Sequence, residues 1–149
     1  LVGASPAANL DGVSLAGCLD ADTPCPELDA FNETGIWIAN IPGLPDAHLR
    51  YPNLLELMEV PDRASGTLAI KSDYCNAILD AKDRMIRSGR WKLVYQPLET
   101  GHVLSLFDLE TDPACQHDVS AHHPQVTADL WARLQTFVQA SRQRVHPTA

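Results

Sequence analysis

Alternating apolar and polar side chains between residues 82 and 113 predict three consecutive antiparallel strands. Trp91 and Tyr95 fall on one face of the second strand, as the two-residue period of a strand requires. Gly89 is predicted in the first tight turn, where glycine supplies a positive φ at little cost. Pro113 ends the pairing because proline has no N–H for the ladder. The predicted strands cover residues 82–87, 90–96 and 103–109.

A strong helical pattern begins at Pro124, where proline suits the first turn. Apolar side chains then recur at intervals that place them on one stripe of a helix. They are Val126, Leu130, Leu134, Phe137 and Val138. The sequence therefore predicts an α+β fold, in which a small antiparallel sheet of three to four strands carries a C-terminal amphipathic helix on one face.

The first third of the chain carries weaker patterns. Residues 1–30 are rich in Ala, Gly, Pro and Asp and predict an irregular leader, with one turn of helix at 13–19. Residues 35–39 form a short apolar run with strand-forming side chains and predict a further strand. The folded unit is expected to cover residues 31–149.

Two short helices are predicted between this strand and the three-stranded meander. Apolar positions over residues 51–60 predict the first helix, which Pro61 ends. The second is predicted over 74–81, with Ser72 and Asp73 as capping residues. The alternative for this second segment is a direct continuation into the first strand of the meander.

Length and charge narrow the class of protein. The 149 residues suit one domain, and the formal net charge of −8 argues against a nucleic-acid partner, which would require a basic face. No run of about 18 apolar residues exists, so no membrane span is predicted. The sequence shows no secretory-signal pattern and leaves the localisation open. Because it opens on Leu1 rather than Met, we expect a piece of a longer protein.

Five basic residues concentrate in the first two strands of the meander. The favoured interpretation is a set of solvated outer positions on a hairpin. The alternative is a rim that faces an anionic ligand such as a sulfate or phosphate ester. The residues are Lys82, Arg84, Arg87, Arg90 and Lys92.

The cysteines and histidines do not match a metal motif. The four cysteines have no C-x-x-C spacing, and free or buried thiols are the default interpretation. Cys18 and Cys25 could instead close a short loop in an oxidising compartment. A His-rich patch lies before the C-terminal helix, where surface histidines are favoured over ligands of a metal. It contains Cys115, His117, His122 and His123.

Catalytic signatures are lacking in the sequence as well. It contains no G-x-S-x-G elbow, no P-loop and no G-x-G-x-x-G motif. The carboxylate pairs have simpler explanations as residues on helix or turn surfaces. These pairs are Glu56 with Glu59 and Glu110 with Asp112. Taken alone, the chain offers no catalytic centre.

Several motifs nevertheless resemble the C-terminal part of the type I sulfatases, in the alkaline-phosphatase-like superfamily. Residues 84–93, RMIRSGRWKL, are similar to that family's R-x-x-R-x-G-x-W-K hairpin, and residues 106–113, LFDLETDP, to its L-Y-D-L-x-x-D-P strand and turn. His123 and Pro124 with the following helix resemble its ending. Residues 10–15, LDGVSL, are similar to the segment that leaves the catalytic domain.

The resemblance implies more chemistry than this chain contains. Such enzymes hydrolyse sulfate esters with a formylglycine, made in a C/S-x-P-x-R motif, beside a bound calcium ion. None of the four cysteines lies in that motif, so no catalytic or metal-binding residue is assigned here. Calcium and formylglycine are expected in a missing N-terminal catalytic domain of the same protein, which is the expected partner. Residues 1–30 would then be the leader and 31–149 the C-terminal subdomain, inactive alone.

In such enzymes the small subdomain helps to wall the substrate cleft. Four residues on or beside loops are the candidates for this rim, because specificity is often built on loops. They are Glu33, Trp37, Lys71 and His102. The alternatives are a free-standing interaction module derived from the subdomain and part of a related phosphonate or phosphate monoester hydrolase. For the isolated piece, we expect the leader and residues 51–60 to stay mobile or to pack against a second copy.

Overall fold

A computed structural model describes residues 12–19, 24–34, 43–51 and 53–145. The architecture is the predicted α+β arrangement, with a four-stranded antiparallel sheet, a two-stranded sheet and a long C-terminal helix. The strands are β1 (Ala30–Glu33), β2 (Met58–Asp62), β3 (Thr67–Ile70), β4 (Arg84–Ser88), β5 (Trp91–Pro97) and β6 (His102–Asp108). The helices are α1 (Leu54–Leu57), α2 (Cys75–Asp80) and α3 (Pro124–Val145).

The meander of β4, β5 and β6 is confirmed, with strand ends shifted by one or two residues from the prediction. The sheet order is β1-β4-β5-β6, and every neighbouring pair is antiparallel. Gly89 has a φ of 54° in the turn between β4 and β5, the conformation that glycine adopts without a steric cost. Ile86 pairs with Leu93, and Leu93 with Leu106, so one face of the sheet carries a row of aliphatic side chains.

Helix α3 covers this row, as the helical stripe predicts. Leu130 and Leu134 are buried against Ile86, Leu93 and Leu106 and form the main core with them. At the edge of the core, the rings of Phe31 on β1 and Phe137 on α3 stack with centroids 4.2 Å apart. The helix therefore fixes the sheet through its apolar stripe and also holds the added strand β1.

The predicted helix over residues 51–60 is wrong for most of its length. Among the described residues of this range only Leu54–Leu57 is helical, and Asn53 accepts a hydrogen bond from the Leu55 N–H as its N-cap. Met58 already pairs with Ile70 in the ribbon of β2 and β3. The non-local pairing with β3 overrides the short apolar pattern, since a four-residue helix gains little from its own hydrogen bonds.

A second, smaller core lies beside the sheet. It buries Tyr51, Leu57, Ile78 and Ala81, so α1 contributes Leu57 to this core and α2 contributes Ile78. Helix α2 confirms the predicted short helix at 74–81, but the predicted cap is wrong. Ser72–Tyr74 is instead a turn of 3₁₀ helix that runs directly into α2.

The early part of the chain shows local order. Ala16–Leu19 forms a turn of 3₁₀ helix within the predicted 13–19 segment. Cys18 and Cys25 are joined by a disulfide, with Cα atoms 5.1 Å apart, which corrects the expectation of free thiols at these two positions. The predicted strand at 35–39 lies outside the described residues. Among those that are described, none of the helices is both long enough and apolar enough to cross a membrane.

Candidate functional site

The four rim candidates do not form one cluster. Glu33 lies on β1 and His102 on β6, at opposite edges of the four-stranded sheet. With strands about 4.8 Å apart, this separation exceeds roughly 14 Å. Lys71 follows β3 of the other sheet, immediately before the 3₁₀ turn. Trp37 lies outside the described residues.

Glu33 is part of an ion cluster with Lys82 and Arg84. Its carboxylate accepts hydrogen bonds from Arg84 Nε at 2.7 Å and from Lys82 Nζ at 3.1 Å. Arg84 is buried, and its remaining guanidinium nitrogens donate to the carbonyl oxygens of Lys82 and Leu79. Burial opposes ionisation of Glu33, but the hydrogen bonds from Arg84 and Lys82 outweigh it and lower its pKa. Glu33 is therefore committed to a charge partner inside the fold.

Three of the five basic residues of the meander are paired with carboxylates of the fold. Besides Lys82 and Arg84, Arg90 pairs with Asp108 and, at 2.8 Å, with Glu110. The hydrogen bonds from Arg90 lower the pKa of Asp108 to about 2. Arg84 also departs from the favoured interpretation of solvated positions, since it is buried on the sheet face that carries α3.

His48 is a buried histidine that connects the loop before α1 to the start of β4. Its Nε2 lies 2.5 Å from Asp83 Oδ1, and its Nδ1 donates to the carbonyl oxygen of Leu49 at 2.6 Å. Asp83 Oδ2 also accepts a hydrogen bond from Gln96 at 3.4 Å. Both ring nitrogens therefore make their contacts to oxygen atoms within the fold. This pair is a structural connection.

The aspartates after β6 organise the polypeptide around them. Asp112 Oδ2 accepts hydrogen bonds from the backbone N–H groups of Gln116 and His117. Asp118 Oδ1 accepts from the N–H groups of Leu106 and Ser120. Burial opposes ionisation of Asp118, yet these backbone hydrogen bonds lower its pKa. Both carboxylates hold the loop before α3 in place.

The His-rich patch beside this loop does not converge on an ion. His123 packs against the ring of Trp91, with centroids 4.8 Å apart. His117 Nδ1 lies 3.6 Å from Asp112. Within the described part of the chain, no group of three or more His, Cys, Asp or Glu side chains is arranged to hold a metal ion.

His102 lies in a different setting, at a cavity of about 540 Å³ between the second half of α3 and the loop that joins β5 to β6. Tyr95 and Trp131 also line this cavity and stack with centroids 5.0 Å apart. The His102 ring lies 5.0 Å from Trp131 and 5.4 Å from Tyr95. Three rings from three elements thus form one aromatic wall.

The cavity also has polar lining residues, which form its polar wall beside the rings. Gln135 and Gln139 extend from the exposed side of α3, and Arg142 pairs with Asp80 at the end of α2. The sequence analysis did not select these residues, because they lie off the core stripe of α3. The sequence does contain a pattern that could have identified them. Four residues recur at helical spacing on a second face of α3, namely Trp131, Gln135, Gln139 and Arg142.

Comparison with known proteins does not identify a family for this chain. No protein-family model matches this sequence, and a comparison with curated proteins finds no match. The resemblance to type I sulfatases therefore rests on the sequence motifs alone.

Proposed function

We propose that this chain is the C-terminal, non-catalytic subdomain of a sulfatase-like hydrolase, in which it helps to wall the substrate cleft. The observation that carries the proposal is the structural role of the motif residues. Arg84 anchors β4 to β1, Gly89 makes the β4–β5 turn, and Asp108 pairs with the Arg90 that follows this turn. These residues support a meander backed by a helix, and the fold itself needs them. A subdomain can keep such residues without any chemistry of its own.

The inventory of side chains supports a non-catalytic role. His48 has both ring nitrogens engaged, and Glu33 is held by Lys82 and Arg84. Asp112 and Asp118 bind backbone N–H groups. The proposal places calcium and formylglycine, which the sulfatase resemblance implies, in an N-terminal catalytic domain of the same protein.

Exposed apolar side chains support a packing partner for this unit. Leu55 on α1 is 84 % exposed and Leu68 on β3 is 64 % exposed. A contact with the catalytic domain would remove this apolar surface from water. The ribbon of β2 and β3 is then the part of the subdomain that we expect to meet its partner.

The test uses an antibody raised against this chain. In extracts of the source organism, we expect it to detect a polypeptide larger than the 16.3 kDa chain and to deplete hydrolysis of an aryl sulfate. The purified chain should give no turnover above buffer. Metal-dependent hydrolysis by the purified chain would refute the proposal.

Two parallel assays separate the alternatives. Depletion of aryl phosphate or phosphonate hydrolysis, with aryl sulfate hydrolysis untouched, would assign the chain to a related ester hydrolase. Detection of a 16.3 kDa polypeptide alone, with every activity left in the extract, would favour a free-standing interaction module.

A further inference from the structure

We propose that the cavity between α3 and the β5–β6 loop binds a neutral sugar ring. This inference goes beyond the proposed function and does not depend on it. The volume of about 540 Å³ lies within the roughly 300–1,000 Å³ that is typical of small-molecule sites. The cavity is open to solvent along the exposed glutamines of α3, so a ligand can enter without a change of the fold.

The aromatic wall provides the apolar half of the site. Tyr95, His102 and Trp131 line the cavity with stacked or tilted rings whose centroids lie 5.0–5.4 Å apart. Trp131 is half-buried and held by both neighbours, so its orientation is fixed before a ligand arrives. A pyranose presents a face of C–H groups, and such a face packs well on a rigid aromatic surface.

The polar wall provides donors and acceptors together. Gln135 and Gln139 each carry an amide that can donate and accept, and the pair Asp80–Arg142 offers a carboxylate beside a guanidinium. A sugar hydroxyl is likewise both a donor and an acceptor. Neighbouring hydroxyl groups on a sugar ring can therefore pair with both the donors and the acceptors of the polar wall. A sulfate or phosphate group, which only accepts hydrogen bonds, can pair with the donors alone.

The charge balance excludes a sulfate or phosphate group as the preferred ligand. Two guanidinium groups line the cavity, and each is neutralised, Arg84 by Glu33 and Arg142 by Asp80. Arg84 also donates to two backbone carbonyl groups, which leaves it committed to the fold. No surplus positive charge therefore compensates an anion, and the net charge of −8 repels one. The ligand class that remains is a neutral polyhydroxyl ring.

The experiment follows backbone amide resonances of the full 149-residue chain during titration with cellobiose, lactose and diacetylchitobiose. We expect at least one of these disaccharides to cause saturable shifts that are centred on residues 95–102 and 131–142. Sodium sulfate, titrated in parallel at matched ionic strength, should leave these resonances unshifted. The absence of saturable shifts with all three disaccharides, or saturable shifts with sulfate at the cavity, would overturn the proposal.

Two matched variants connect the shifts to the cavity. Gln139→Ala removes one exposed amide from the polar wall and should raise the Kd by about two- to tenfold, the effect of one hydrogen bond. Gln125→Ala makes the same change at the other end of α3 and should leave the Kd unchanged. Thermal unfolding of both variants verifies that the fold is kept, since both side chains are exposed. Equal affinity of Gln139→Ala and the unchanged chain would contradict this site.

Discussion

Asp83 Oδ1 lies 2.5 Å from Nε2 of His48, whose side chain is fully buried, although the two residues are 35 positions apart in the chain. Replacing Asp83 by Ala removes the carboxylate that contacts this buried ring nitrogen and should lower the free energy of unfolding by about 1–3 kcal/mol. Asp83→Asn keeps an acceptor oxygen at the same place and should cost less. Urea unfolding of both variants measures the difference. Equal losses for Ala and Asn would show that the hydrogen bond to His48 is not what stabilises this connection.

The ion cluster on β1 gives a second prediction. Glu33→Gln leaves the buried guanidinium of Arg84 without a countercharge, and we expect a loss of about 2–3 kcal/mol. This is less than the roughly 3–5 kcal/mol of a fully buried pair, because Glu33 is partly exposed. Glu110→Gln is the matched control, since that side chain is 65 % exposed and its pair with Arg90 should contribute less than about 1 kcal/mol. Similar losses in chemical denaturation for the two variants would contradict the buried role of Arg84.

The pH dependence of stability should show the contribution of Asp108. Its pKa lies below the ordinary value of 3.8, at about 2, so the native state binds this proton less readily than the unfolded chain does. The stabilisation is therefore fully present above the ordinary value and is lost as the pH falls towards 2. In urea unfolding between pH 2 and 7, Asp108→Asn should flatten this acid limb. Asp46→Asn, at an exposed carboxylate, should leave the limb as steep as in the unchanged chain.

Leucine truncations should separate the core from the exposed apolar surface. Leu134→Ala removes a side chain that is 1 % exposed and should lower the free energy of unfolding by about 2–5 kcal/mol. Leu55→Ala removes one that is 84 % exposed, and its effect should stay within about 0.5 kcal/mol. Thermal or urea unfolding gives both values. A large loss for Leu55→Ala would show that Leu55 is packed against other residues, which contradicts its exposed position on α1.

The isolated chain should also self-associate through its exposed apolar side chains. Light scattering should give an average mass that rises with concentration, and the double change Leu55→Ser with Leu68→Ser should lower it towards the monomer. Leu28→Ser, at an exposed leucine before β1, serves as the control and should have the smaller effect. A monodisperse monomer at every concentration would contradict this prediction.

Periodic patterns made most of the fold predictable. The period of two along β5 and the stripe of Leu130 and Leu134 correctly gave the meander and its covering helix. Local patterns predicted the wrong element where pairing with a distant segment determines the structure. Met58 falls in the predicted helix over residues 51–60, but it pairs with Ile70 in the two-stranded ribbon. Short apolar runs fit a helix and a strand equally well, and only the partner strand selects between them.

The candidate site was predictable only in part, for the same reason. His102 was selected because it borders a loop, and it does line the cavity. Asp80 and Trp131 reach the same cavity from α2 and α3, and no local sequence pattern relates these two elements. The pairing of His48 with Asp83 likewise depends on how a loop docks against the sheet.

Strand β1 joins the sheet across a long chain segment, since Glu33 and its partner Lys82 are 49 positions apart. Strands β4, β5 and β6 need only short hairpin closures, which cost less chain entropy and occur sooner. During refolding, the amide groups of the meander should therefore gain protection from hydrogen exchange before those of β1. Cleavage of the chain just after β1, or its truncation there, would then leave a folded meander of β4, β5 and β6 without its outer strand β1.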